Sequence, residues 1–443
     1  MPTRALAGRL LLEAIGAVLL GGCDQIWGLD ERPLLADASA EASSPDAPAD
    51  APPRDCPVGA NGYHDFRVAD CWWTFDTSAL GGSPAGFEGA AFDGRYLYLV
   101  PSPSGVVLRY DSEADFTSSA SWKSFDVGAS LGMAVSFAGA VFDGSTITFA
   151  PAKSSVFVQY TTALGFEDPT AWEGFDPTVG AGLSMAAGYG GGTFDGRFLY
   201  FVPDDSTYAQ KFDSRAAFND PQSWAAHNVV AGTSSGPGFF GAAYDGRYVY
   251  LAPGTLLPDA LGILLRYDTT ADFNLNASFD TFDMTTVSPK AAGFKGAAFD
   301  GRYVYFVPGG AGGDAVVLRF DSHGTLADMG AWSAFDLTKL GSGLGRFFGA
   351  AFDGQYLYVV PSGTSSSGQN GKMVRYDTTA DFSSVGSWSS FDTNTVQAAA
   401  FQGCAFDGRS LYFAPQSGSI VARFQARDTA TTPALPGFFG SFF

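Results

Sequence analysis

The chain has 443 residues, 46% of them hydrophobic and 15% aromatic, with 56 glycines and a formal net charge of −20. That is ample apolar material for a large core, and the ring and glycine content suits many short strands joined by tight turns. The acidic balance and the lack of a basic cluster exclude a nucleic-acid partner, because phosphate neutralisation needs Lys and Arg.

In chain order, residues 1–22 carry Arg4 and Arg9, then an apolar run from Leu10 to Leu20 interrupted by Glu13. The run has signal-peptide length and is too short for a comfortable membrane span. Leu20-Gly21-Gly22-Cys23 resembles the lipobox of bacterial lipoproteins. The resemblance implies cleavage before Cys23, lipidation of that residue, and an exported protein anchored to a membrane of the cell envelope, with the outer membrane or cell surface favoured. A plain secretory signal is the alternative. Residues 23–55 hold the anchor cysteine and an Ala/Pro/Ser/Asp-rich stretch that cannot bury enough surface to order itself, so they read as a tether. Residues 56–70 form a short segment without the pattern that follows.

From residue 71 to about 427 the chain repeats itself. The aromatic of a phrase like Gly-Ala-Ala-Phe-Asp-Gly-Arg recurs at Phe92, Phe142, Phe194, Tyr244, Phe299, Phe352 and Phe406, at intervals of 50, 52, 50, 55, 53 and 54 residues. Each unit reads as four strands. A small apolar strand leads into an Asp-Gly turn, a strong hairpin signal. The second strand alternates aromatic and β-branched residues and stops at Pro101, Pro151, Pro203, Pro253, Pro308, Pro361 or Pro415. A third strand carries an Arg-Tyr-Asp phrase and a fourth carries Trp-x-x-Phe-Asp. Four strands per unit of about 50 residues is the arithmetic of a propeller blade. The expected fold is an all-β, seven-bladed β-propeller, with residues 428–443 as a C-terminal tail. The pattern resembles kelch repeats, although Val-Pro or Ala-Pro replaces the paired glycines of their second strand; the resemblance implies architecture and no function.

The seventh unit lacks its fourth strand, and an orphan copy, Trp72-Trp73-Thr74-Phe75-Asp76, precedes the first unit. The N-terminal strand is expected to complete the last blade, with Gly437-Phe438-Phe439 as a rival for the slot. Among the cysteines, a Cys56–Cys71 bridge is expected in an oxidising compartment, leaving Cys404 as a small buried thiol. Cys71–Cys404 is the rival pairing, disfavoured because it would join the outermost and innermost strands of one blade.

The repeated Asp-Gly-Arg, as in Asp93-Gly94-Arg95, and the pair Arg109 with Asp111 recur in blade after blade, so both read as scaffold charge pairs. Six of eight tryptophans occupy the repeat slot, leaving Trp27 and Trp73. No nucleophile elbow, phosphate loop or calcium loop is present, and neither a metal nor a cofactor is expected. The connections between strands two and three vary most, and loops on a rigid scaffold collect function. Candidate ligand-binding residues on that face are Asp204, Asp205, Tyr208, Asp259, Lys290, Asp314, Arg346 and Lys372. Met133 and Met185 sit in matching loops there. The leading expectation is a non-catalytic envelope lipoprotein that binds a protein or glycan. The alternative is an extracytoplasmic polysaccharide hydrolase or lyase, whose mark would be unpaired acids and bases converging on the channel mouth.

Overall fold

The computed structural model describes residues 55–81, 86–179, 188–229, 238–254, 262–309, 315–365, 368–428 and 441–442. Cys23, Asp259, Asp314 and Met185, the tether and most of the tail lie outside the described residues. Seven antiparallel blades form a ring. Blade one runs outward from Phe87–Phe92 through Tyr96–Pro101 and Val106–Asp111 to Trp122–Asp126. Blades two to six repeat this order, with innermost strands Phe137–Phe142, Tyr189–Phe194, Phe239–Tyr244, Phe294–Phe299 and Phe347–Phe352. No helix among the described residues is long and apolar enough to cross a membrane.

Blade seven combines Phe401–Phe406, Ser410–Pro415 and Ile420–Gln425 with Trp72–Asp76. Trp72 lies opposite Phe424 and Asp76 opposite Ile420, so the N-terminal strand closes the ring. In the tail, Ser441–Phe442 pairs with Ala351 and Ala350 on the inner edge of blade six.

The third residue of each innermost strand is glycine because the strand bulges there and neighbouring blades almost touch. Gly296 has φ +142°, the register shifts across it, and a Cβ there would come within 2.8 Å of the Gly349 backbone. The Asp of each Asp-Gly turn is a staple. Asp93 Oδ1 accepts from the backbone N–H groups of Arg95 and Tyr96, while the Tyr98 hydroxyl donates to Oδ2 at 2.7 Å. Five other blades repeat the tyrosine bond, and in blade two the Thr146 hydroxyl takes its place.

One sequence-based pairing needs correction. Asp111 takes its ion pair from Arg95 on the neighbouring strand, at 2.9 Å, and not from Arg109. Arg109 instead lies 4.0 Å over the Tyr96 ring. The cross-strand pair recurs as Arg197–Asp213, Arg247–Asp268 and Arg302–Asp321. Tyr96 faces Asp111 in the hairpin register, which brings the preceding Arg95 to that carboxylate.

The core is a set of layers between blades. The outer-strand Trp, or Phe279 in blade four, is packed against the ring three residues into the outer strand of the preceding blade. Phe75–Trp122, Phe125–Trp172, Phe175–Trp224, Phe282–Trp332 and Phe335–Trp388 follow this rule, with centroids 4.6, 5.3, 6.2, 4.6 and 4.4 Å apart. His227 occupies the Phe slot in blade three and stacks on Phe279 at 4.1 Å. Phe391 on Trp72, at 5.5 Å, is the seventh step and completes the circle. The six tryptophans that open outer strands also donate their indole N–H to the carbonyl six residues earlier, as Trp72 does to Phe66 at 2.7 Å.

The Cys56–Cys71 disulfide is present and Cys404 is free and buried. Burial pushes the Cys404 thiol well above its ordinary pKa.

Candidate functional site: the channel mouth

Every innermost strand begins on the face that carries the variable loops. Its second residue points to the axis, while the first is buried between blades. Around the ring that second residue is Glu88, Ala138, Gly190, Phe240, Lys295, Phe348 and Gln402. The residue following each second-strand proline, such as Ser102, Asp204, Gly309 or Gln416, adds a further tier. Six of these second residues, all but Gly190, line a cavity of about 500 Å³ with Ser102, Asp204, Gly309 and Gln416, and Lys153, Asp205 and Arg346 are also in its lining.

The polar groups here are incompletely satisfied. Asp204 Oδ1 is buried and has no hydrogen-bond partner among the described residues, and the same holds for Oε1 of Gln402, a side chain only 5% exposed. Glu88 accepts from the Ser102 hydroxyl at 3.2 Å. The Lys295 ammonium sits 3.0 Å from the Phe240 ring centroid and 5.9 Å from that of Phe348, the two rings meeting edge to face. Arg346 is exposed, and its guanidinium forms no ion pair among the described residues. Its carbonyl is held by the Ser362 N–H and the Asn370 amide, at 3.1 and 2.9 Å.

Burial sets the proton affinities. It raises the pKa of Asp204 and of Glu88 and lowers that of Lys295. The attraction between Lys295 and the two acids opposes this in each case without cancelling it. Acids with raised proton affinity and a base with lowered proton affinity therefore share a small cavity, an arrangement that concentrates at functional sites.

Of the residues read from the sequence, Asp204, Asp205 and Arg346 are brought together at the mouth. Tyr208 is not: it opens the third strand of blade three, half-buried against that blade's apolar layer. Lys290 pairs with Asp336 at 3.4 Å, outside the mouth. Lys372 donates to the Ser342 carbonyl at 2.6 Å and lines a separate recess of about 140 Å³ beside Leu340 and Asp392. Exposed Met133 is also outside the cavity lining. Sequence reasoning missed Lys295, Glu88, Gln402, Phe240 and Phe348. Their signal is the most variable slot of the repeated phrase Phe-x-Gly-Ala-Ala-Phe, the second, which differs in nearly every blade. Arg346 likewise stands where other blades have Gly86, Ser136, Gly188, Gly238, Gly293 and Ala400.

Cys56, His64 and Cys71 are the one grouping of three metal-capable side chains among the described residues, and the disulfide consumes two of them.

No protein-family model matches the chain, and no curated protein does. Similar solved structures include a streptogramin B lyase, with 12% identity, 80% of this chain and 98% of that one covered, and a TM-score of 0.53. The virginiamycin B lyase of Staphylococcus aureus matches at 11% identity, with the same coverage and a TM-score of 0.52. The β-propeller domain of Myceliophteria thermophila Cps50 (Swd1) matches at 10% identity, over 77% of this chain and 96% of that one, with a TM-score of 0.51. Likeness at such identity establishes the propeller fold alone.

Proposed function

We propose that this protein is a kelch-like envelope lipoprotein, anchored through Cys23, that binds an acidic saccharide in the mouth of its propeller channel. The observation that carries the reading is the pair of unpartnered buried acceptors, Asp204 Oδ1 and Gln402 Oε1, inside one cavity. Buried acceptors are costly to leave unpaired, and a hydroxyl-rich ligand supplies the missing donors. The Phe348 ring in the cavity lining offers apolar surface for the C–H side of a sugar, and the Arg346 guanidinium, which forms no ion pair among the described residues, suits a carboxylate. The cavity volume lies in the range of small-ligand sites, which favours a glycan unit over a flat protein partner.

Titration calorimetry with uronic-acid oligosaccharides against neutral ones tests this. Acidic oligosaccharides are expected to bind, and Arg346→Ala should weaken them roughly 10- to 100-fold, the worth of a hydrogen bond to a charged group. Equal affinity for both classes, or an unchanged Arg346→Ala variant, would overturn the reading. The anchor has its own test. Cys23→Ser is expected to move the protein from the membrane to the soluble fraction; unchanged fractionation, with no acyl label on the parent, would refute lipidation.

A further inference from the structure

We propose that Lys295 is a carbonyl-capturing nucleophile, forming an imine with the aldehyde or ketone of an open-chain acidic sugar while Asp204 serves as proton donor and acceptor. The inference rests on the channel mouth being the ligand site. It goes beyond binding to covalent chemistry.

Three features of Lys295 support it. First, its placement is rigid. It is the second residue of an innermost strand, and the backbone at Gly309 packs on its stem so closely that a Cβ there would fall 2.5 Å from Lys295 Cγ. Second, its ammonium has no ion pair among the described residues, whereas Lys123 and Lys290 pair with Glu167 and Asp336 at 3.2 and 3.4 Å. The Phe240 ring, which cradles it, is a weak partner that yields no proton and accepts none. Third, burial lowers the Lys295 pKa to about 8, which raises the share of neutral amine, the form that attacks a carbonyl, and raises that of Asp204 to about 7, so that it can give and take a proton near neutral pH. The unpartnered Oδ1 of Asp204 lines the same cavity.

The step balances without an oxidant or reductant. The Lys295 nitrogen lone pair forms the N–C bond, and the carbonyl π pair takes the proton from Asp204. The new ammonium returns a proton to the Asp204 carboxylate. That proton then goes to the carbinolamine hydroxyl, which leaves as water as the nitrogen lone pair closes the C=N bond, giving a protonated imine beside the Asp204 carboxylate. Arg346 holds the carboxylate of the incoming acid and so orients its carbonyl.

Glyoxylate is a suitable probe, since it joins a carboxylate to an aldehyde, and cyanoborohydride traps the imine as a stable carboxymethyl adduct. The full chain would be treated at mildly acidic pH and mapped by peptide mass. Labelling at Lys295 is expected to exceed that at exposed lysines by roughly tenfold, the gain in free amine for each unit by which a lysine pKa falls. Asp204→Asn should slow trapping at Lys295 alone, Arg346→Ala should remove its preference for glyoxylate over uncharged aldehydes, and Lys295→Arg should abolish the adduct. Uniform labelling of surface lysines, or none at Lys295, would overturn the inference. Calorimetry on the same protein separates the two ideas. Acidic saccharide binding without trapping defeats only the imine. Trapping without saccharide binding defeats only the glycan reading.

Discussion

Removing residues 71–76 is expected to open the ring and cost the protein most of its stability. Trp72 is 1% exposed and lies against Phe391, Phe413 and Phe424 with centroids 5.5, 5.6 and 5.0 Å away. Phe413 and Phe424 belong to blade seven, and Phe391 belongs to blade six. Three residues on, Phe75 stacks on Trp122 of blade one at 4.6 Å. The six-residue deletion thus strips both interfaces of blade seven, as well as its outer edge pairing. Burying one Trp contributes about 4–6 kcal/mol at about 25 cal/mol per Å². That single term is comparable with much of the net stability of a typical domain. The truncated chain should unfold at clearly lower denaturant, and Trp72→Ala alone should cost about 3–5 kcal/mol. A truncated chain that melts like the parent would refute closure by this strand.

Why the fold was readable and the site was not follows from where each signal resides. The Asp-Gly turn, the strand-ending proline and the Trp-x-x-Phe spacing are satisfied mostly by neighbours within one blade or the next, so each unit spells out its own structure. Seven copies make the reading redundant. The rule that Phe391 stacks on Trp72 is the same rule as Phe75 on Trp122, carried across the ends of the chain. Charge pairing was less legible. Arg109 and Asp111 share a strand face and looked like partners, but strand pairing brings Arg95 to Asp111 from outside that spacing. The site was the least legible part. Lys295, Glu88 and Gln402 are more than 100 residues apart from one another in sequence, and only the ring topology brings their second-position slots to one axis. Asp204 was visible beside Asp205 in a variable loop. Lys290 and Lys372 were also on the chosen face, yet that face runs from rim to axis, and both lie away from the mouth.

The Cys56–Cys71 bridge is expected to contribute about 3 kcal/mol, the chain-entropy value for a closed loop of this length, which spans a sequence separation of 15 residues. The stabilisation should be local as well as global, because the loop is a clamp on the closing blade. His64 donates its backbone N–H to the Ala426 carbonyl at 2.9 Å, and Tyr63 forms a bridge with Arg427. Phe66, wholly buried, packs edge-on against Tyr358 and Phe391 of blade six and supplies the carbonyl that receives the Trp72 indole N–H. Cys71 immediately precedes the closing strand, so the bridge ties this clamp to its start. In a Cys56→Ser, Cys71→Ser variant, amide hydrogen exchange should therefore rise first in residues 72–76 and their partners 420–424, before it rises in blades two to five. Peptide mapping without reduction should find the 56–71 link and a free thiol at Cys404, slow to alkylate because it is buried and held protonated. A 71–404 peptide would refute the pairing. A double variant that unfolds at the same denaturant concentration, with exchange unchanged at residues 72–76, would show that closure rests on aromatic stacking alone.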